Sequence, residues 1–491
     1  MQFAECLDRL YIPTLPLRHF SSPHTHRIAF HSIPYISSMG KLSLSLLSFL
    51  LLLGLGYAFT EQQGECQLSN IDAREPSYRV QSEGGQTDFW DNHNNEFRCA
   101  GVSIRRHIIQ QRGLLLPVYH NAPVLVYVVQ GRGTYGVVTS GCVETFESGQ
   151  QQQFSREERS QRFREDRHQK VEEFQKGDVI AIRAGDAHWV YNDGDQELVV
   201  VVFHHNSNFA NQLDQNPRSF FLAGNPGNEQ QEEQYRRLRG SKRGQEAQSE
   251  LGNVFSGLDD ELLAEAFNVD VETARKLRGQ NDERGHIIRA EKSIQLIQPH
   301  RSRQERHNGL EETFCSARVK ENLDRASRAD FYNPRAGRFS TLNSFNLPIL
   351  SFLQLSASRG VLHRNAIFAP HWYTNAHSLI YATRGASRLQ IVNHRGQAVF
   401  DGQVREGQVV VVPQNFAVVK QAEEKGFEWV AFNTNENAAI NTLSGRTSAI
   451  RGLPVDVVAN AYQLSREEAQ RIKFSRQETL IFNANDARRS A

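Results

Sequence analysis

The sequence predicts an all-β protein with helical extensions, two similar β-barrels in one chain, each followed by a helical arm. Three observations carry that expectation. A strand-like segment recurs with its landmarks in place, a turn glycine opens a β-branched run in each copy, and an apolar stripe of helical period closes each copy.

The strand-like segment holds Leu125, Tyr127 and Gly131 in APVLVYVVQGRG, and Leu379, Tyr381 and Gly385 in AHSLIYATRGAS, an offset of 254. Next come GDVIAI from Gly177 and GQVVVV from Gly407, offset 230, each a turn glycine feeding a buried strand. Last, Leu258, Ala264, Ala266, Phe267, Val269, Ala274 and Leu277 align without a gap on Leu453, Ala459, Ala461, Tyr462, Leu464, Ala469 and Ile472, offset 195. Steps of three and four residues give these segments the stripe of amphipathic helices, whose apolar faces are expected to pack between subunits. The falling offset means that the first copy carries about 24 and about 35 extra residues in two places. They coincide with Gln150–Gln175 and Asn225–Glu250, tracts too polar to bury a core and expected to be where proteolysis begins.

At 491 residues the chain has room for two or three cores. With 56 basic and 55 acidic residues, its net charge of +1 supplies no field for nucleic acid or an anionic membrane. Residues 59–308 carry 30 Lys and Arg against 37 Asp and Glu, whereas residues 309–491 carry 22 against 16. Of the basic residues 46 are Arg, and Gln runs add further nitrogen; two Met leave little sulfur. The run Leu42–Leu55 after Lys41, followed by small residues to Ala58, has the charged-then-apolar order of a secretory signal peptide starting at Met39. Residues 1–38 are then an upstream extension, 39–58 the signal, and the export route makes thiols available for oxidation. Beyond Cys6, four cysteines (66, 99, 142 and 315) allow three pairings. No Asn-x-Ser/Thr occurs.

Between the copies a hydrophilic stretch, QPHRSRQERH, ends at Asn308-Gly309-Leu310-Glu311-Glu312-Thr313-Phe314-Cys315. This junction resembles that of the 11S globulins, the legumin-type seed storage proteins of the cupin superfamily. The resemblance implies two jelly-roll barrels, cleavage between Asn308 and Gly309 by an asparaginyl endopeptidase, and thus an acidic chain (59–308) and a basic chain (309–491). It implies one bridge within the acidic chain, Cys66 to Cys99, and one between chains, Cys142 to Cys315. It further implies a nutrient reservoir that self-associates as trimers of precursor and hexamers of cleaved chains, routed through the endoplasmic reticulum to the storage vacuole. Relatives in this family are often food allergens.

Catalytic cupins hold a metal through a His-x-His pair, a Glu five positions later and a His on a second motif, which leaves coordination positions open. Placed on Gly131, that register gives Pro117, Tyr119, Val124 and His188; on Gly385 it gives His371, Tyr373, Ser378 and Val418. One ligand in four survives in each copy. His188 and His371 therefore read as satisfied barrel or rim residues, and His204-His205 as a strand end. His24-Thr25-His26 precedes the signal and lacks the downstream Glu. No catalytic residue, metal or cofactor is expected. The competing readings are a metal-dependent bicupin enzyme, which bound Mn or Fe would mark, and a vicilin-like binding globulin, which a single uncut chain would mark.

Overall fold

The computed structural model describes residues 66, 68–144, 146–147, 167–226, 252–279, 281–294, 296, 315 and 317–483. The expected leader, the Asn308–Gly309 junction and most of both polar tracts lie outside the described residues.

Two antiparallel barrels form, as the duplication requires. In the first, one sheet runs Tyr78–Ser82, Gly85–Trp90, Val102–Ile109, Leu198–His205, Val124–Gln130, Asp178–Ile182 and Lys320–Asn322 in spatial order. The facing sheet runs Ser219–Phe221, Gly113–His120, Ala187–Tyr191, Arg132–Val138 and Val171–Gln175, with Ile287–Arg289 also on Gly113–His120. In the second barrel the strands Ser378–Val392 and Ala417–Asn433 are long enough to run through both faces, and their register shifts where they bend. Gly131, in the equivalent place between Val124–Gln130 and Arg132–Val138 of the first barrel, and Gly385, at this bend, have φ of 88° and 73°. A Cβ there would lie 2.9 Å from the Glu197 carbonyl oxygen and 2.2 Å from that of Gly426. Only glycine fits both the left-handed backbone and the close approach.

Val171–Gln175 corrects the reading of Gln150–Gln175 as a wholly polar insertion. Val171 and Phe174 are buried, and Tyr135 donates to Glu172 at 3.0 Å. Two apolar residues in an acidic run suffice because the strand lies on an edge and needs only one covered face.

Each barrel has its own apolar interior, and a third cluster joins them. At its centre Phe203 stacks on Phe432, ring centres 5.2 Å apart and planes within 3°. These residues hold the same place in the two copies: Phe203 is opposite Leu125 and Phe432 opposite Leu379 in register. A repeated polar pair flanks the stack. Arg106 donates to the Tyr381 hydroxyl at 3.1 Å and to Asp88 at 2.9 Å. Its counterpart Arg359 reaches Asp324 at 2.7 Å and also pairs with Glu428, while the Tyr127 hydroxyl donates to Asp324 at 3.4 Å.

The barrels also exchange edge segments, so the barrel boundary is not the chain boundary. Lys320–Asn322, which follows the junction, pairs with Asp178–Ile182 of the first barrel. In return, the Ile71 amide donates to Val399 at 2.9 Å and Arg74 pairs with Val409. Leu68 and Ile71 thereby become part of the second barrel's interior.

The helical segments form as expected: Asp260–Phe267 with Val271–Arg278, and Val455–Tyr462 with Arg466–Phe474. Asp259 and Asp270 cap the first pair, and Ser465 with Glu468 forms a capping box in the second. Leu263, Ala264 and Ala274 are buried in the first arm, Val458 and Ala469 in the second. The outer faces are not covered by the described chain: Leu262 is 59% exposed, Phe267 50%, Val457 48%, Tyr462 54% and Ile472 53%.

Truncating either ring of the central stack leaves a cavity at the join. Phe432→Ala is expected to cost about 3–5 kcal/mol in denaturant unfolding at fixed protein concentration. The double variant with Phe203→Ala should cost less than the sum of the two, because each ring loses the same partner.

Candidate functional site

The strands that carry metal ligands in catalytic relatives of this architecture are all present, and what they carry decides the chemistry. In the first barrel Pro117 and Tyr119 lie on Gly113–His120, Val124 opens the next strand, and His188 lies on Ala187–Tyr191. Tyr119 is engaged in a stack on Phe220, ring centres 4.9 Å apart. In the second barrel His371 stands opposite Val418, with Tyr373 and Ser378 completing the set. Proline, valine and tyrosine side chains in these places do not make a facial imidazole–carboxylate set, so the residues do not fit a catalytic metal. Among the described residues no group of three His, Cys, Asp or Glu side chains is arranged to hold one.

His188 is nevertheless not alone, and here the sequence reading needs correction. Its ring centre lies 5.3 Å from that of His120, which lies 4.6 Å from that of His204. Nearby, Thr87 Oγ1 bridges His107 Nδ1 at 2.8 Å and His286 Nε2 at 2.7 Å. Arg105 borders the cluster and donates to Ser219, whose hydroxyl contacts His120. All five imidazoles are buried. His188 Nδ1, and in the second barrel His371 Nε2, have no hydrogen-bond partner, so neither is the satisfied residue expected of it; His204 Nε2 lacks a partner as well. His204 does end the strand Leu198–His205, as read, but points inward. His107, His120, His188 and His204 lie on four different strands and His286 immediately before a fifth, so the cluster exists only after the barrel closes. Inward alternation was the one available signal.

Burial pushes these bases toward their neutral forms. It holds His188 down to about 4, and lowers His107, His120 and His204 well below their ordinary range, with neighbouring imidazoles and Arg105 adding repulsion. His205 is likewise lowered to about 4 by burial and then by His377. His371 falls by burial and by the charge of Lys420; its Nδ1 donates to the Ala369 carbonyl at 2.8 Å, and its Nε2 has no partner.

The cysteines join Cys66 to Cys99, Cα atoms 4.7 Å apart, and Cys142 to Cys315, 5.5 Å apart. Each bridge roots an exchanged segment. Cys66 stands two residues before Leu68, which enters the second barrel, and Cys315 five before Lys320, whose strand Lys320–Asn322 enters the first. Gln169 clamps the loop of Cys142, donating to the Thr139 and Cys142 carbonyls at 3.1 and 2.9 Å. Asn308 and Gly309 lie outside the described residues.

Comparison with known proteins places this architecture. A cupin family model matches residues 69–228 and 321–470. An 11S globulin of Juglans nigra is 49% identical over 470 residues, covering 87% of this chain and 92% of the relative. The crystal structure of the coconut allergen cocosin superposes with a TM-score of 0.74 at 45% identity, covering 85% of this chain and all of that one. A recombinant pro-11S globulin of pumpkin gives 0.74 and 45%, covering 85% and 99%.

The buried imidazoles set a pH dependence. Above the unfolded pKa of 6.5 both states leave them neutral, and they contribute no slope. As pH falls from 6.5 the unfolded chain binds protons that the folded one refuses, until about pH 4, where His188 and His205 accept them. Each such group should remove about 1.4 kcal/mol of stability per pH unit across that window. Thermal unfolding followed by circular dichroism should show the loss, with a shallower slope for His188→Phe.

Proposed function

The chain belongs to the 11S globulins of the cupin family, and on that premise we propose that it is a seed storage protein, a nutrient reservoir without catalytic activity. One observation carries the reading: both barrels are kept whole while the donors at their ligand positions are replaced, by Pro117, Tyr119 and Val124 in one and by Tyr373, Ser378 and Val418 in the other. Stability has been retained where the chemistry has been removed. The Arg- and Gln-rich composition supplies nitrogen to a fold whose purpose is to persist and later be degraded.

In this reading the precursor is exported through the endoplasmic reticulum, oxidised, and delivered to the storage vacuole, where an asparaginyl endopeptidase cuts between Asn308 and Gly309. Scission leaves an acidic and a basic chain joined by Cys142–Cys315. The exchanged segments supply a second, non-covalent link. The exposed faces of Asp260–Phe267 and Val455–Tyr462 supply the surface for trimers, and trimers of cleaved chains pair into hexamers. Leu262, Phe267, Val457 and Tyr462 are each about half exposed, and large apolar side chains grouped on the arms in this way support a subunit contact.

Electrophoresis of protein from its native tissue should give one band that splits on reduction into a larger acidic and a smaller basic chain. Asn308→Gln should remain a single chain after treatment with the protease and reductant. Without denaturant, the cut and reduced wild type should still elute as one particle; separation at that step would overturn the interlocked reading.

The arms can be tested separately. Leu262→Glu combined with Val457→Glu changes exposed residues only, so unfolding should shift within about 0.5 kcal/mol per site. Sedimentation should nevertheless show monomers in place of trimers.

A further inference from the structure

The first barrel closes around one hydroxyl shared by two imidazoles. Thr87, fully buried, contacts His107 Nδ1 at 2.8 Å and His286 Nε2 at 2.7 Å, and His286 Nδ1 contacts the Ser82 hydroxyl at 3.3 Å. Thr87 and His107 are register partners on neighbouring strands inside the seven-stranded sheet. His286 comes from elsewhere: it immediately precedes the three-residue strand Ile287–Arg289, where the chain returns to the barrel after the helix Val271–Arg278.

The second copy shows that the fold does not require this trio. The Leu116 amide donates to the His286 carbonyl at 3.0 Å as the Ala369 amide donates to that of Leu480 at 2.8 Å, so buried Leu480 holds the place of His286. Thr87 and Asp88 stand opposite His107 and Arg106 as Phe339 and Ser340 stand opposite Gly360 and Arg359. The places of Thr87 and His107 are thus taken by Phe339 and Gly360, and the Trp429 ring lies against that glycine. A barrel of this shape closes on apolar side chains at all three positions.

Thr87 has one proton to give. One ring accepts it and the other donates to the same oxygen, an arrangement complete with both imidazoles neutral. Acid adds charge to a buried place that already faces cations and other bases. Burial, then His286, Arg105 and His188, hold His107 well below its ordinary range. On the outer side, Asp282 and Arg284 pair with each other, and Glu83 accepts from the Arg289 amide at 2.9 Å. Of the elements that meet at Thr87, the returning segment is the least held. Beyond its short pairing with Gly113–His120, its carbonyls at Arg284 and Ile287 accept from the Glu83 and Gly84 amides at 2.9 and 2.7 Å.

We propose that His286 is an acid-released latch: protonation of the imidazole pair around Thr87 undocks residues 282–289 while the barrel stays folded. One proton moves from solvent to a ring nitrogen, and no bond between heavy atoms changes. Undocking relieves the buried charge by letting His286 reach water, whereas Thr87 and His107 are fixed in their sheet. The freed segment continues from the first helical arm, which the storage reading places at a subunit contact; the latch itself does not depend on that reading.

Hydrogen exchange of the full-length folded protein, read by mass spectrometry and corrected for the intrinsic pH dependence of exchange, tests the latch. From about pH 7.5 to about pH 5, across the ordinary histidine value, residues 281–289 should lose about tenfold or more in protection, while Val124–Gln130 and the counterpart 480–483 keep theirs. His286→Leu, which installs the second barrel's own residue, should stay protected over that range. Thr87→Val keeps both imidazoles but removes the hydroxyl, so the segment should be loosened already at the higher pH. An equal loss at 480–483, no loss before the whole molecule unfolds, a His286→Leu segment that opens with the wild type, or a Thr87→Val segment as protected as the wild type would each overturn the proposal. Should the variants fail to fold, the comparison of 281–289 with 480–483 inside one wild-type molecule still decides it.

Discussion

The contact of Phe203 with Phe432 is the constraint on which the remaining architecture rests. Two copies of one unit meet there through the same residue, so each barrel covers the apolar face that its twin exposes. Because the join is made by equivalent positions, its polar flanks repeat as well. Arg106 meets Tyr381, and Arg359 lies with Tyr127 around Asp324. A half-buried and a buried arginine are tolerable there only because each carries acceptors with it, Asp88 for Arg106 and Asp324 with Glu428 for Arg359. The exchanged edges follow from the same arrangement: with the barrels held face to face, a segment leaving one reaches the open edge of the other within a few residues.

The two barrels share this frame but have diverged inside. One interior holds a set of neutral imidazoles, the other a lysine among aromatic rings, and neither arrangement is what packing alone would select. Such groups lower the stability of a fold, and a fold with a large hydrophobic join can carry them. Their chemistry differs from that of the metal centres in catalytic relatives: bases shielded from water and from carboxylates, in place of ligands converging on an ion.

Much of the frame was legible in the sequence. The segment aligned without a gap became helices that start at Asp260 and Val455 and end at Phe267 and Tyr462, both at the offset of 195 read from the sequence. The landmarks at Gly131 and Gly385 became equivalent bends. Both features are local, and local period survives in a linear reading. What escaped depends on closure. His107, His120, His188 and His204 are spread over nearly a hundred residues and meet only when four strands curl around one axis. Lys420 lay at the end of a valine-rich run and drew no notice. Ala317–Leu323, ARVKENL, has no strand pattern of its own because its partner edge supplies the order. Cysteine spacing left three pairings open, and only the resemblance at the junction chose among them.

The exchange of edges also dictates how the molecule can be made. Asp178–Ile182 is the rim of its sheet until Lys320–Asn322 arrives, some 140 residues later in translation. A ribosome therefore extrudes the first barrel with an unpaired rim, which attracts any extended chain nearby, including another nascent copy. Synthesis as a single polypeptide keeps the correct partner tethered close by. Two separately translated halves would each begin life with a missing edge.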